Sequence, residues 1–212
     1  MRNIKILPFL FVLSCAGVQV RPASKPIELV FRLEVYKYGI LQGNGTAFII
    51  KQTNNTAYII TNRHICRDED AEYVLVDANL ARYDAHYFVA HNTADLCLLK
   101  IYGRFNPIQV SFASPQYGER IISIGAPHGA FPIVKTGSVK QIVVFNSVVQ
   151  NFHYFFAGYY LRLDVEEGSS GSPVFNNKNE IIGIVFATID GKLSCMIPSR
   201  TIQDFIKIEK EK

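Results

Sequence analysis

Residues 168–188 read GSSGSPVFNNKNEIIGIVFAT. Small residues, Gly168 to Ser172, crowd into a turn. Two short apolar runs follow, PVF and IIGIVFAT, with NNKN between them. Short runs rich in β-branched and aromatic residues, split by Asn-rich turns, mark antiparallel strands rather than helices. NNKN thus reads as a hairpin turn. The same pattern extends upstream. LVFRLEVYKY, TAFIIK, AYIIT, EYVLVD, AHYFVA, DLCLLKI, RIISIGA, VKQIVVF and YYLRLDV read as strands, and QGNG, TNNT, DAN, SPQYG and IDGK as the turns between them. The spacing predicts an all-β sandwich or barrel. Only SRTIQDFIKIEK repeats at helical spacing, with Ser199 as N-cap and Ile202, Phe205 and Ile206 on one face.

The chain has 212 residues, 49% of them hydrophobic and 19% charged. That is enough apolar material for a packed core and argues against disorder. The length fits one large domain or two small lobes sharing a cleft. The formal charge is +4, but Arg2 and Lys5 belong to a leader, and without them 20 basic residues face 18 acidic ones. No basic stripe remains to hold nucleic acid.

MRNIK is positively charged, and Ile6 to Leu13 is apolar but too short to span a bilayer as a mature helix. Val12-Leu13-Ser14-Cys15 resembles a bacterial lipobox in which Cys15 would carry the lipid. The alternative is an ordinary signal peptide cut after Ala16. Both imply export: periplasmic or anchored by lipid if bacterial, otherwise secreted. Membrane association would come only through that lipid. The expected organisation is a leader over 1–15, a tether over 16–28 with Pro22 and Pro26, one β lobe over 29–103, a connection around Pro107, a second β lobe over 108–198, and a helix and tail over 199–212. With Cys15 lipidated, Cys66, Cys97 and Cys195 leave room for at most one disulfide. Their apolar surroundings read as buried free thiols. No His/Cys spacing suggests a metal. Asn44-Gly45-Thr46 and Asn54-Asn55-Thr56 match glycosylation sequons that would be idle in a bacterial lipoprotein.

A serine nucleophile needs a base for its proton and a third group to hold that base. His64 follows a strand, where the chain leaves a rigid element. Asp95 opens an apolar run, where a carboxylate is costly unless satisfied, and a ring N–H would satisfy it. Gly168 and Gly171 bracket the serines. With Ser170 as nucleophile, the N–H groups of Gly168 and Ser170 could converge on one oxygen. The order His64, Asp95, Ser170 is that of chymotrypsin-type enzymes, unlike the subtilisin or α/β-hydrolase orders. The Gly-x-Ser-x-Gly elbow fails because Ser172 fills its last place. His86, His91 and His153 read as surface or packing residues. His128, in APHGAF, is left without a task.

AYIITNRHIC, TADLCLLKI, SIGAPHGAFPIVKTGSVKQIVV, GSSGSPVFNNKNEIIGIVFA and MIPSRTIQDFI resemble, in order from about Gly43 to Ile206, segments of the HtrA-type trypsin-like serine proteases. The serine segment is closer still to that of staphylococcal glutamyl endopeptidases. The resemblance implies two antiparallel six-stranded β-barrels of the chymotrypsin kind with a C-terminal helix. It implies an endopeptidase acting on a protein or peptide substrate with no metal or cofactor. His64 would be the base, Asp95 its orienter, Ser170 the nucleophile and Gly168 an oxyanion donor.

The departures are specific. No PDZ domain follows in the sequence, so peptide sensing through one is not expected. Ser169 stands where pancreatic-type enzymes carry the Asp that pairs with a new N-terminus. Ser172 replaces the second Gly of the serine motif, as in the glutamyl enzymes. Arg63 before the histidine is unusual for HtrA. Strand GIVFAT would line the pocket. Val185 falls where the glutamyl enzymes place a histidine, and Val185, Phe186 and Ala187 imply small or medium apolar residues on the acyl side of the cut. The alternative is Asp164, six residues before Ser170, selecting Arg or Lys. A reading of another class is a silent protease scaffold that binds.

Overall fold

The chain, as a computed structural model, is described over residues 25–53, 55–68, 70–103, 110–149, 152–189 and 193–208. The leader with Cys15, the tether through residue 24, Asn54, Pro107 and the tail after residue 208 lie outside the described residues.

Among the described residues, twelve strands form two antiparallel sheets. The first holds β1 (Val30–Lys37), β2 (Ile40–Gln52), β3 (Thr56–Thr61), β4 (Glu72–Val76), β5 (Arg82–Ala90) and β6 (Cys97–Tyr102), in the order β1-β2-β3-β6-β5-β4. The second holds β7 (Arg120–Gly125), β8 (Ile133–Val149), β9 (Phe152–Arg162), β10 (Pro173–Phe175), β11 (Ile181–Thr188) and β12 (Leu193–Pro198), in the order β10-β11-β12-β9-β8-β7. Helix α1 (Ser199–Ile208) follows, and 3₁₀ turns lie at Pro26–Leu29 and Pro127–Gly129.

The expectation of two antiparallel six-stranded β-barrels is corrected for the second sheet. In the first sheet β4 returns to β1 along a full ladder, Arg32 to Tyr36 against Val76 to Glu72. In the second, β10 is only three residues long and meets β7 at just two positions, Val174 with Ser123 and Phe175 with Ile122. The first sheet closes along a full ladder, whereas the second closes only through these two pairs. The second is a rolled sheet joined by a short seam, from which β8 and β9 run on as a long ribbon. Pro173 opens β10 without a backbone donor, and the Ser123 hydroxyl donates to its carbonyl at 2.9 Å instead.

Three local expectations are also corrected. QGNG is no turn but part of β2: a register shift opposite Val35 and Tyr36 absorbs the extra residue, so the strand continues through its glycines. Strand β12, LSCMIP, carries no clear strand signature in the sequence, because a proline and a buried Ser and Cys blur its pattern. Ser199 opens α1, but its hydroxyl donates to the Ala113 carbonyl at 2.6 Å, tying the helix to the second sheet rather than capping it.

Burial explains why the lobes hold together. One cluster fills the first barrel, with Leu33, Ile49, Ile59, Tyr73, Leu75 and Leu99. Another lies within the second sheet, with Val139, Leu161, Val174, Ile182, Val185 and Met196. A third spans both lobes: Phe48, Ile60 and Leu96 pack with Ile124, Phe175, Ile184, Ile202 and Phe205. Each such side chain stabilises the fold by roughly 1.5–3 kcal/mol through removal from water. The shared cluster fixes one lobe against the other, and a cleft at their junction inherits that rigidity.

Candidate active site

His64 and Asp95 come from two loops at one end of the first barrel. Thr61 pairs with Cys97 as the last step of the β3–β6 ladder. The chain leaves β3 after Thr61 in a tight turn, with the Ile65 N–H donating to the Asn62 carbonyl and the Cys66 N–H to that of Arg63. Asp95 lies two residues before β6, so both loops sit over the same ladder end. His64 Nδ1 is 2.6 Å from Asp95 Oδ2, and the His64 N–H donates to Asp95 Oδ1 at 2.9 Å. The Asp95 carboxylate is buried, 2% exposed. The buried Asn62 amide donates to the Asp95 carbonyl at 2.9 Å. A buried carboxylate needs such partners to remain charged.

A covalent link lies behind this pair. Cys66 and Cys97 form a disulfide, with Cα atoms 6.4 Å apart. The expectation of free thiols is therefore wrong for these two. Their apolar setting is real, but the ladder brings the segment after His64 back over the residue opposite Thr61. Cys195 is a buried free thiol, and burial pushes its pKa up to about 11, which leaves it inert as a nucleophile.

The serine turn belongs to the second lobe. It is held by β11 behind it: the Gly171 N–H donates to the Val185 carbonyl and the Val185 N–H to the Ser172 carbonyl, both at 2.9 Å. Gly168 and Gly171 have φ of 91° and 89°, the left-handed region that favours glycine. Among the described residues nothing accepts from the N–H of Gly168 or of Ser170. Ser169 is buried, and its hydroxyl accepts from the Glu166 N–H at 3.3 Å. It closes the turn locally where an acid would need a distant partner.

Ser170, Gly168, Glu167 and His64 line one cleft of about 560 Å³, whose other wall carries Val35, Lys37, Asn44, Ile65, Arg67 and Asp68. Lys37 and Asp68 are ion-paired across its rim. The expected pocket residues do not line this cleft. Val185 is core, 1% exposed. Phe186 stacks edge-on between Phe145 and Phe156, with centroids 4.9 and 5.2 Å away. Ala187 continues the strand, half-buried. Asp164 is 67% exposed and lies 3.8 Å from Lys135, so it is no buried carboxylate at a pocket floor.

Several supporting residues were missed in the sequence. His91 packs as expected, its ring 5.1 Å edge-on from that of Phe205, but its Nδ1 also accepts the N–H of Thr93 and Ala94 at 3.0 and 2.9 Å, capping the turn that presents Asp95. Arg63 donates to the His91 carbonyl at 2.6 Å and lays its guanidinium over the Phe152 ring, 3.8 Å from the centroid. The Phe155 N–H donates to the Thr93 carbonyl at 3.0 Å. Burial first, and the Asp95 carboxylate second, push the Tyr154 phenol up. The β8–β9 ribbon therefore roofs the aspartate turn. The His91 cap is local, within HNTA, but the Arg63 and Phe155 contacts do not show in local pattern because they join segments far apart in sequence.

The fold is that of a trypsin-like peptidase domain. The trypsin-like peptidase domain family matches residues 45–184, and the chain belongs to that family. It is 27% identical over 203 residues to serine protease HTRA1 of Xenopus tropicalis, covering 89% of this chain and 41% of that protein. It is 31% identical over 147 residues to a probable periplasmic serine endoprotease, DegP-like, of Pseudomonas fluorescens, covering 68% of this chain and 29% of that one. The chain thus spans less than half the length of these curated relatives. A crystal structure of Rv3671c from M. tuberculosis, a serine-to-alanine mutant in an inactive form, superposes with a TM-score of 0.71 over 87% of each chain. The identity there is 17%, so that likeness concerns the fold.

Proposed function

We propose that this chain is an exported, HtrA-like serine endopeptidase in which Ser170, His64 and Asp95 act as a catalytic triad. The observation that carries the reading is the paired contact of His64 with buried Asp95, through both ring and backbone, on the cleft that Ser170 lines. Ser170 Oγ attacks the scissile carbonyl as its proton passes to His64 Nε2. The C–N bond then breaks, and the same proton goes to the leaving amine. Water, deprotonated by His64, attacks the acyl carbonyl, the C–O bond to Ser170 breaks, and His64 returns the proton to Ser170 Oγ as the acid leaves. Asp95 holds the Nδ1–H tautomer and stabilises the imidazolium. The Gly168 and Ser170 N–H groups receive the oxyanion.

In this reading the lobes are 29–103 and 108–198, with 1–15 a leader, 16–28 a tether and 199–212 a helix and tail. The periplasmic DegP-like relatives support export, and Cys15 would carry a lipid. The substrate is a protein or peptide. Cleavage after small or medium apolar residues rests on the resemblance alone, since Val185 lies in the core and Phe186 packs between Phe145 and Phe156. Exposed Asp164 gives little support to Arg or Lys selection. The resemblance of the serine segment to glutamyl endopeptidases is retained without Glu preference, since Val185 stands in place of their histidine.

Labelling with a fluorophosphonate serine probe tests the reading. Wild type is expected to label, and Ser170→Ala and His64→Ala are not. A folded wild type that stays unlabelled would sink it and leave a binding scaffold in its place.

A further inference from the structure

Thr46 is fully buried, 0% exposed, on β2 of the first lobe, yet most of its hydrogen bonds reach into the second. Its N–H donates to the Ser170 carbonyl at 2.8 Å. Its hydroxyl donates to the Gly168 carbonyl at 2.9 Å and accepts the Ala126 N–H at 3.0 Å. Its own carbonyl accepts the Thr61 hydroxyl at 2.7 Å, just before the turn that carries His64. One residue thus touches the serine turn twice, the loop behind it once, and the histidine side once.

The loop behind is the APHGAF segment. The His128 N–H donates to the Glu167 carbonyl at 2.7 Å, and His128 adopts φ 49° to do so, a conformation rare for a side chain with a Cβ. A trans peptide points its carbonyl and N–H in opposite directions. With the Glu167 carbonyl turned to His128, the Gly168 N–H must point away from that loop. The next peptide is fixed as well, because the Gly168 carbonyl is held by the Thr46 hydroxyl. Gly168 therefore lies between two anchored carbonyls. A Cβ there would run into the Ala126 carbonyl and the Asn44 amide. The Asn44 amide in turn donates to that same Ala126 carbonyl at 3.1 Å.

We propose that the Thr46 hydroxyl is a positioning group for catalysis: with the backbone N–H of His128 it fixes the peptides on both sides of Gly168, so that the Gly168 N–H stays aimed as an oxyanion donor. This rests on the reading of Ser170 as nucleophile. The hydroxyl has one proton, which it gives to Gly168, and a lone pair, which it offers to Ala126. Valine has the same shape and neither capacity. In Thr46→Val both buried partners lose their hydrogen bond, and the glycine peptide is free to turn. Thr46→Ser keeps both bonds.

The test uses the full chain and the fluorophosphonate probe, comparing the maximal labelling rate with the probe's half-saturating concentration. Thr46→Val is expected to label roughly 10- to 100-fold more slowly, the range of a weakened oxyanion donor, with half-saturation within about twofold of wild type. Thr46→Ser should recover most of the rate. Amide hydrogen exchange supplies a readout independent of turnover: Ala126 should exchange at least about tenfold faster in Thr46→Val and near wild type in Thr46→Ser. Equal labelling rates for Thr46→Val and wild type would overturn the proposal and leave the triad standing. A serine variant as slow as the valine one would also overturn it. Failure of the wild type to label, or labelling of Ser170→Ala, would overturn both.

Discussion

Gly168 and Gly171 are the residues at which the site is least tolerant. Both hold positive φ, and a Cβ on Gly171 would meet the Thr46 carbonyl and the Thr61 hydroxyl. If Gly168 is the oxyanion donor proposed above, Gly168→Ala is expected to displace it and to lower kcat by about 10²–10³-fold, the cost of losing one such group. Steady-state cleavage of a peptide found by library screening checks this, with thermal melting to show that the variant is folded. Asn62 is buried, and its amide holds the Asp95 carbonyl. Asn62→Ala should cost about 1–3 kcal/mol of stability by leaving that carbonyl unmet, measured by urea unfolding. Each of these roles depends on which backbone group faces the side chain. A sequence can show that a glycine stands beside a serine, but not which carbonyl its Cβ would strike.

At the scale of elements, the site is a meeting of loops held by links that local pattern does not reveal. The Cys66–Cys97 disulfide spans 31 residues. Loop-closure entropy for that span gives roughly 3–4 kcal/mol at 25 °C. Cys66→Ala with Cys97→Ala should lose about that much in urea unfolding. Loss below about 1 kcal/mol would mean that the barrel ladder alone constrains these loops. The β8–β9 ribbon is clamped to the first lobe by Arg63, which touches both the His91 carbonyl and the Phe152 ring. Arg63→Ala removes a cation–π contact and a charged donor together. It should raise hydrogen exchange at Phe155, whose N–H rests on Thr93, before it affects amides of the barrel core.

At the scale of the whole molecule, pH acts on the fold through His91. Burial first, and the Arg63 charge second, hold its pKa below the ordinary 6.5. Its Nδ1 is an acceptor for two backbone N–H groups, so protonation would break the cap of the Asp95 turn. The unfolded chain takes up a proton that the folded one resists. This stabilisation is therefore complete above about pH 6.5 and is lost as pH falls through the lower folded-state pKa. The melting temperature should decline from neutral pH downward, and His91→Asn should flatten that part of the profile. An unchanged slope in the variant would show that other groups carry the acid response.

Most of the strands, the hairpin at NNKN, the C-terminal helix and the order of the proposed triad residues were legible in the sequence. Alternation of apolar residues, turn chemistry and the order His64, Asp95, Ser170 are local or linear properties that survive in a string of letters. The all-β class followed because most of the strands carry a β-branched, half-apolar signature of their own. Only the tertiary structure decided how the second sheet closes, since a three-residue strand such as β10 is defined by its partners and not by its composition. Only the tertiary structure paired Cys66 with Cys97, moved Asp164 to the surface and placed Val185 in the core. It also gave Thr46 and the His128 backbone their contacts with the serine turn. Those outcomes depend on distances between residues remote in the chain, and such distances exist only once the two lobes have packed around their common cluster.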